Sequence, residues 1–203
     1  MKKIKIAVTG GIGSGKSTVA KYIEAKGYPV FSCDEIYKEI YASESYQALL
    51  LQLFPSCQVG GKIDKKQLSK HVFSNTDELK KLNDLSHLKI MSAIEDKVEA
   101  CCQRLVFVEV PLLFEGKYED AFDFIFVVLR EKNARIASVV ARDNLTIQEV
   151  VLRMESQWDY DRRENQAYLS QEKVYVIRNE NTVETLLENT ESALLWLSNK
   201  VKQ

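Results

Sequence analysis

Apolar positions along this chain follow two patterns. Short unbroken apolar runs bounded by turn residues read as strands covered on both faces. They occupy residues 3–9, 28–32, 105–110, 124–129 and 173–177. Between them apolar residues recur at helical spacing, the pattern of a helix with one buried face. A first helix is expected over 16–27, closed by Gly27 in the left-handed position that ends many helices. From 34 to 54 the stripe Ile36, Tyr37, Ile40, Tyr41 is repeated by Leu49, Leu50, Leu53, Phe54, so this stretch reads as helical throughout. Residues 55–62 read as a loop carrying Gly60-Gly61. A short helix over 65–73 follows, then a long one from 75 to about 102. The long helix places Leu79, Leu82, Leu85, Ile90, Ile94 and Val98 near one face. Beyond the fourth run come helices at 131–142 and 146–157, parted by a turn at Asp143-Asn144, and another at 162–169. The last helix opens near an Asn181-x-x-Glu184 capping box and aims Val183, Leu186, Leu187, Leu194, Leu197 and Val201 at the core.

Strands alternating with helices predict an α/β fold, a five-stranded parallel sheet flanked by helices. The core is expected to comprise about 1–34, 103–130 and 172–203. A helical block of about 35–102 lies between the second and third strands. It is too long for a plain crossover and is expected to hold substrate-binding structure. A helical hairpin segment of about 131–171 separates the fourth and fifth strands. With 203 residues, 45% of them hydrophobic, the chain suffices for one substantial core and a small appended lobe. Its formal net charge of −1 is not the footprint of a nucleic-acid binder. The N-terminus has no signal-peptide h-region, and no apolar run approaches the roughly 18 residues of a spanning helix. A cytoplasmic location with no membrane partner is expected. Cys33, Cys57, Cys101 and Cys102 show no C-x-x-C spacing, so reduced, mostly buried thiols are expected rather than disulfides or a zinc site.

The stretch from Gly10 to Ser17, G-G-I-G-S-G-K-S, fits the phosphate-binding pattern G-x-x-x-x-G-K-[ST]. It stands between the first strand and the first helix, where backbone N–H groups and a helix N-terminus converge on a phosphate. Lys16 is expected to reach the β- and γ-phosphates, and the Ser17 hydroxyl to ligate Mg²⁺. The expected ATP contacts are Gly11, Ile12, Gly13, Ser14, Gly15, Lys16, Ser17 and Thr18. Phosphoryl transfer also needs a carboxylate at the acceptor hydroxyl. Asp34, just past the second strand, is best placed to orient it, take its proton or bind the metal through water; an Asp there equally suits a helix N-cap. Arg130, Arg135, Arg142, Arg153, Arg162 and Arg163 populate the segment where nucleotide kinases carry a mobile lid. Arg142, at the hairpin tip, is the first candidate to meet the transferring group, and Arg135 lies further back on the same helix. Most of these arginines are expected to sit on solvated faces. His87 and His71 are the two histidines, and a lone helical histidine is more often structural than functional. No D-x-x-G or N-K-x-D occurs, and no apolar run ends in Asp-Glu. Glu109 lies on the third strand but is followed by Val-Pro-Leu-Leu-Phe-Glu. These absences favour a small-molecule kinase over a switch or a motor.

The motifs together resemble the dephospho-CoA kinase family over nearly the whole chain. The likeness rests on Val8 to Ser17, the Asp34 segment, Phe54-Pro55, Gly61 to Phe73 and Leu85-Ser86-His87. It continues through Val110-Pro111-Leu112-Leu113-Phe114-Glu115, Phe122-Asp123, Arg135, Arg142-Asp143, Gln157 and Val176-Ile177-x-Asn179. The resemblance implies a P-loop kinase fold with a helical acceptor-binding lobe and a lid. It implies transfer of the ATP γ-phosphate to the 3′-hydroxyl of dephospho-CoA. Asp34 becomes the catalytic carboxylate, Arg142 a lid arginine, and Lys16 and Ser17 keep their loop roles with Mg²⁺. It implies His87, Leu112, Leu113 and Glu115 on the acceptor side. The chain departs from the family in four places. Only Cys33-Asp34 remains of an Asp-Ala-Asp; Lys65 stands for an arginine, losing bidentate phosphate geometry; Leu88 stands for a proline; and Lys173-Val174 replaces Ala-Asp before the last strand.

Overall fold

All five apolar runs enter one parallel sheet. The computed structural model describes residues 2–160, 162–180 and 182–202. Asn181 and the side chains of Phe73 and Arg163, which the sequence brought forward, lie outside the described residues. The sheet strands are β1 (Ile4–Thr9), β2 (Val30–Ser32), β5 (Leu105–Glu109), β6 (Phe124–Leu129) and β7 (Val174–Arg178). A small antiparallel pair, β3 (Gln58–Val59) and β4 (Lys62–Ile63), interrupts the sequence of sheet strands. The helices are α1 (Lys16–Ala25), α2 (Cys33–Ala42), α3 (Glu44–Leu53), α4 (Lys65–Phe73) and α5 (Thr76–Ala100), then α6 (Lys132–Asp143), α7 (Ile147–Glu155), α8 (Arg163–Leu169) and α9 (Val183–Lys200).

The chain forms two compact units, 1–32 with 98–203, and 33–97. The first holds the sheet, in the order β2-β5-β1-β6-β7, every pair parallel. β1 is central because both its faces are apolar: Ile6, Ala7 and Val8 are fully buried. Register decides what surrounds its carboxyl end. Val8 lies opposite Glu109 on β5, and Ser32 of β2 lies opposite the same residue. The core joins Ile6, Val8, Phe107, Phe126 and Ile177 of the sheet to Val19 and Ile23 of α1 and to Leu186, Leu194 and Leu197 of α9. Helix α9 is capped by Thr182, whose hydroxyl accepts from Thr185 N, one residue beyond the predicted cap. Its buried face begins at Leu186, one turn in. Val183, expected in the core, is 58% exposed.

Residues 131–171, the expected lid segment, group with the sheet-bearing unit. The reason lies in their buried side chains: Arg135, Val139, Val150 and Tyr160 are all enclosed.

In the unit 33–97 the single helical stretch predicted from 34 to 54 breaks at Ser43. This residue is extended (φ −73°, ψ 139°), and its hydroxyl accepts from Tyr46 N to start α3. Continuous apolar spacing on both sides hid the break. The presumed loop at 55–62 contains the hairpin β3–β4, turned by Gly60 (φ 58°) and Gly61 (φ 82°). Two successive left-handed residues are what a two-residue hairpin turn requires, and a Gly-Gly pair supplies them. Tyr46, Leu50, Phe54, Cys57, Ile63, Leu68 and Val72 make this unit's core. Inside it the Tyr46 hydroxyl meets Ser86 Oγ at 2.7 Å, and Ser86 donates to Leu82 O. Burial pushes the Tyr46 phenol up to about 12, against the opposing Ser86 hydrogen bond. All four cysteines are free thiols, Cys33 and Cys57 buried, Cys101 half-buried and Cys102 exposed.

Candidate active site

The phosphate loop is shaped from outside by side chains that hold its carbonyls. Lys16 Nζ donates to Gly10 O (2.7 Å) and Gly11 O (3.1 Å). Arg135 Nε donates to Ile12 O (3.0 Å), Arg130 Nη1 to Gly13 O (3.4 Å) and Asn179 Nδ2 to Ser14 O (2.8 Å). In a trans peptide the carbonyl and the following N–H point to opposite sides. Holding the carbonyls of Ile12 and Ser14 therefore turns the amides of Gly13 and Gly15 away from Arg135 and Asn179. Ser14 N–H closes a turn on Gly11 O. Gly13 has φ +76°, and a Cβ there would lie 2.7 Å from Arg135 O, so the close approach of α6 demands glycine. Of the predicted ATP contacts, Gly11 and Ser14 are buried, Ile12, Gly13, Gly15, Lys16 and Thr18 are half-buried, and Ser17 is exposed.

A cavity of 180 Å³ opens over this loop. Gly13, Gly15, Lys16, Ser17 and Thr18 line it together with Arg130 and Arg142. Arg142, at the hairpin tip, thus lines the same cavity as the loop. Its guanidinium is forked onto Asp143, with Nε and Nη2 at 2.7 and 2.9 Å from the two carboxylate oxygens. That hydrogen bonding raises the Arg142 pKa and lowers that of Asp143. Arg135, the second candidate, is only 7% exposed and serves as the brace on Ile12.

Glu109 is the residue that sequence reading passed over. Its Oε1 accepts from Ser17 Oγ at 2.8 Å. The signal was available: a carboxylate at the carboxyl end of an apolar strand. Its partner depended on β5 lying beside β1. A hydroxyl and a carboxylate are hard oxygen donors, which fit Mg²⁺. That ion takes one or two protein oxygens and completes its shell with water and phosphate. Among the described residues no group of three His, Cys, Asp or Glu side chains forms a larger metal site.

After β5 the chain turns through Pro111 to Glu115. Gly116 N returns to Leu112 O and Tyr118 N to Leu113 O. Leu113 is fully buried, whereas Leu112 is 45% exposed. Glu115 Oε1 accepts from Trp158 N at 2.6 Å, while its Oε2 is buried with no hydrogen-bond partner among the described residues. Phe114 packs on Trp158 with ring centroids 4.4 Å apart and meets Tyr160 and Tyr168 edge-on. Nothing in the local pattern of Trp158-Asp159-Tyr160 marked these aromatics. Ile12 N–H donates to Gln157 Oε1 at 2.7 Å.

The other unit carries the remaining candidates. Asp34 is exposed in the first turn of α2, two residues beyond Ser32 and inside the helix rather than at its cap. His87 is half-buried on α5, and burial holds its imidazole below the usual range, partly opposed by Asp84. Lys65, standing where the family carries arginine, lies over the Tyr41 ring at 4.4 Å.

Comparison with known proteins bears on the family and the fold. A sequence profile of dephospho-CoA kinases matches residues 4–185. A dephospho-CoA kinase of Fusobacterium nucleatum is 32% identical over 188 residues, covering 92% of this chain and 94% of the relative. A crystal structure from Thermus thermophilus superposes with a TM-score of 0.83 at 32% identity, covering 96% of this chain and 97% of that one. The dephospho-CoA kinase of Campylobacter jejuni shares the fold, with a TM-score of 0.68 at 24% identity over 98% of this chain and 99% of that one. A phosphate loop on the central strand of a parallel sheet, matched along nearly its whole length, places this chain in the dephospho-CoA kinase family.

Proposed function

We propose that this chain transfers the γ-phosphate of ATP to the 3′-hydroxyl of dephospho-CoA, the last step of coenzyme A synthesis. Family membership identifies the acceptor. The observation that supports the chemistry is the cavity lined both by the phosphate loop, with Lys16 and Ser17, and by Arg142. Phosphoryl transfer asks the protein for positioning and charge neutralisation more than for covalent work.

Lys16 holds the β- and γ-phosphates once its ammonium swings from the carbonyls of Gly10 and Gly11. Ser17 and Glu109 would hold Mg²⁺, which supplies charge neutralisation at the β- and γ-phosphates. Asp34 orients the acceptor hydroxyl and takes its proton. Arg142 exchanges Asp143 for the transferring phosphoryl group. Leu112, Leu113, Glu115 and His87 are assigned to acceptor binding. No helix among the described residues is long and apolar enough to cross a membrane. The free thiols accord with a reducing, cytoplasmic setting.

An ADP-release assay with ATP, Mg²⁺ and dephospho-CoA tests the reading. Absence of turnover, with turnover on shikimate, a nucleoside or a nucleoside monophosphate instead, overturns it. Asp34→Asn lowers kcat by roughly 10²-fold or more, the scale of lost general-base catalysis, with ATP affinity little changed. Near-normal kcat in that variant removes Asp34 from the chemistry.

A further inference from the structure

Gln157 has no part in the division of labour above, yet it touches the phosphate loop. Its Oε1 accepts from Ile12 N–H at 2.7 Å, and the same residue's carbonyl accepts from Arg135 Nε at 3.0 Å. Ile12 is therefore gripped through both of its backbone groups, one from each side of the residue. Both grips come from the 131–171 segment, Arg135 on α6 and Gln157 just past α7. Ile12 stands between Gly11 and Gly13, where glycines leave the backbone with little stiffness of its own. An N–H held by a planar amide at this distance removes much of that freedom.

The next residue makes a second tie. Trp158 donates its backbone N–H to Glu115 Oε1 at 2.6 Å, and its ring packs on Phe114. Consecutive residues thus connect the ATP loop to the segment after β5. A shift of the chain at 157–158 must move the Ile12 peptide and the Glu115 carboxylate together.

We infer that Gln157 is a positioning residue: its side-chain oxygen sets the Ile12 peptide for ATP, and the 157–158 dipeptide couples that loop to Glu115. The acceptor half of this inference rests on the proposed dephospho-CoA kinase reading; the ATP half does not.

Two substitutions separate positioning from mere packing. Gln157→Leu keeps the bulk and loses the acceptor for Ile12 N–H. Gln157→Glu keeps an acceptor oxygen. Mg·ATP affinity by calorimetry, kcat, both KM values and Tm are measured for each. We expect Gln157→Leu to bind ATP roughly 3- to 10-fold more weakly, the scale of one net hydrogen bond, and to raise the KM for dephospho-CoA as well. Gln157→Glu recovers most of that loss, and the Tm of both stays near that of the parent protein. Unchanged ATP affinity in Gln157→Leu overturns the inference. Equal impairment of the two variants overturns it too, because the acceptor oxygen then plays no part. A rise in ATP dissociation constant without any change at dephospho-CoA removes the coupling to Glu115. Failure of the parent protein to turn over dephospho-CoA refutes the acceptor assignment instead, and leaves the ATP result readable.

Discussion

At the residue scale two charged groups of the loop cavity are held by near neighbours. Arg142 is paired with its own neighbour Asp143, and Lys16 with two loop carbonyls. Both pairings are exposed or half-exposed and cost little to exchange. Arg142→Ala is expected to lower chiefly kcat, because its contact with the phosphoryl group forms only when the hairpin tip closes over the loop. Steady-state kinetics with each substrate varied in turn measures this. A change confined to the KM for dephospho-CoA would move Arg142 to the acceptor side. Arg142 could be singled out from sequence because its place beside a turn is a local property. Glu109 was not, because a lone carboxylate on a strand acquires meaning only from the strand beside it.

At the scale of elements, the loop and α6 are fitted to each other at Gly13. A methyl group there would stand 2.7 Å from Arg135 O and 2.9 Å from Val139 Cγ2, on a backbone with φ +76°. Gly13→Ala combines that clash with a left-handed conformation, so it is expected to destabilise the fold by about 1–3 kcal/mol and to abolish ATP binding. Urea unfolding and an ATP titration check the two halves separately. Wild-type affinity in the variant would show that α6 can retreat without disturbing the loop. The helices themselves were visible in the apolar stripe, but two local features were not read. Ser43 breaks the 34–54 stretch because its hydroxyl competes for the backbone, as serine does at helix starts. Gly60-Gly61 turns a hairpin between strands of two residues each, too short for an alternating pattern to announce.

For the whole molecule, the loop, Glu109, the arginines and Gln157 all lie in the sheet-bearing unit, whereas Asp34 and His87 lie in the unit 33–97. The proposed ATP contacts accordingly all belong to the first unit. Mg·ATP at a hundred times its dissociation constant stabilises the native state by about 2.7 kcal/mol. For a chain of this size that corresponds to a Tm rise of roughly 5–10 °C. Lys16→Ala is expected to lose most of the rise while keeping the ligand-free Tm near its parent value. Thermal scans with and without nucleotide measure it. An undiminished rise would show that Lys16 is not the group holding the phosphates.

What the chain's order determined by itself is everything carried by neighbours in sequence. The five strands, most of the helices and the phosphate loop are properties of residues within a turn or a pleat of one another, and so is the placing of Asp34 just past β2. What only the tertiary structure decided is every pairing across the chain. Ser17 meets Glu109 over 92 residues, Ile12 meets Arg135 over 123, and Ile12 meets Gln157 over 145. Hydrophobic period says which face of an element is buried, but it does not say which element lies alongside or in what register. Strand order and the level of Val8 with Glu109 settle that. The side chains that brace the loop were present in the sequence throughout, but their roles arose only when the sheet brought them to one end.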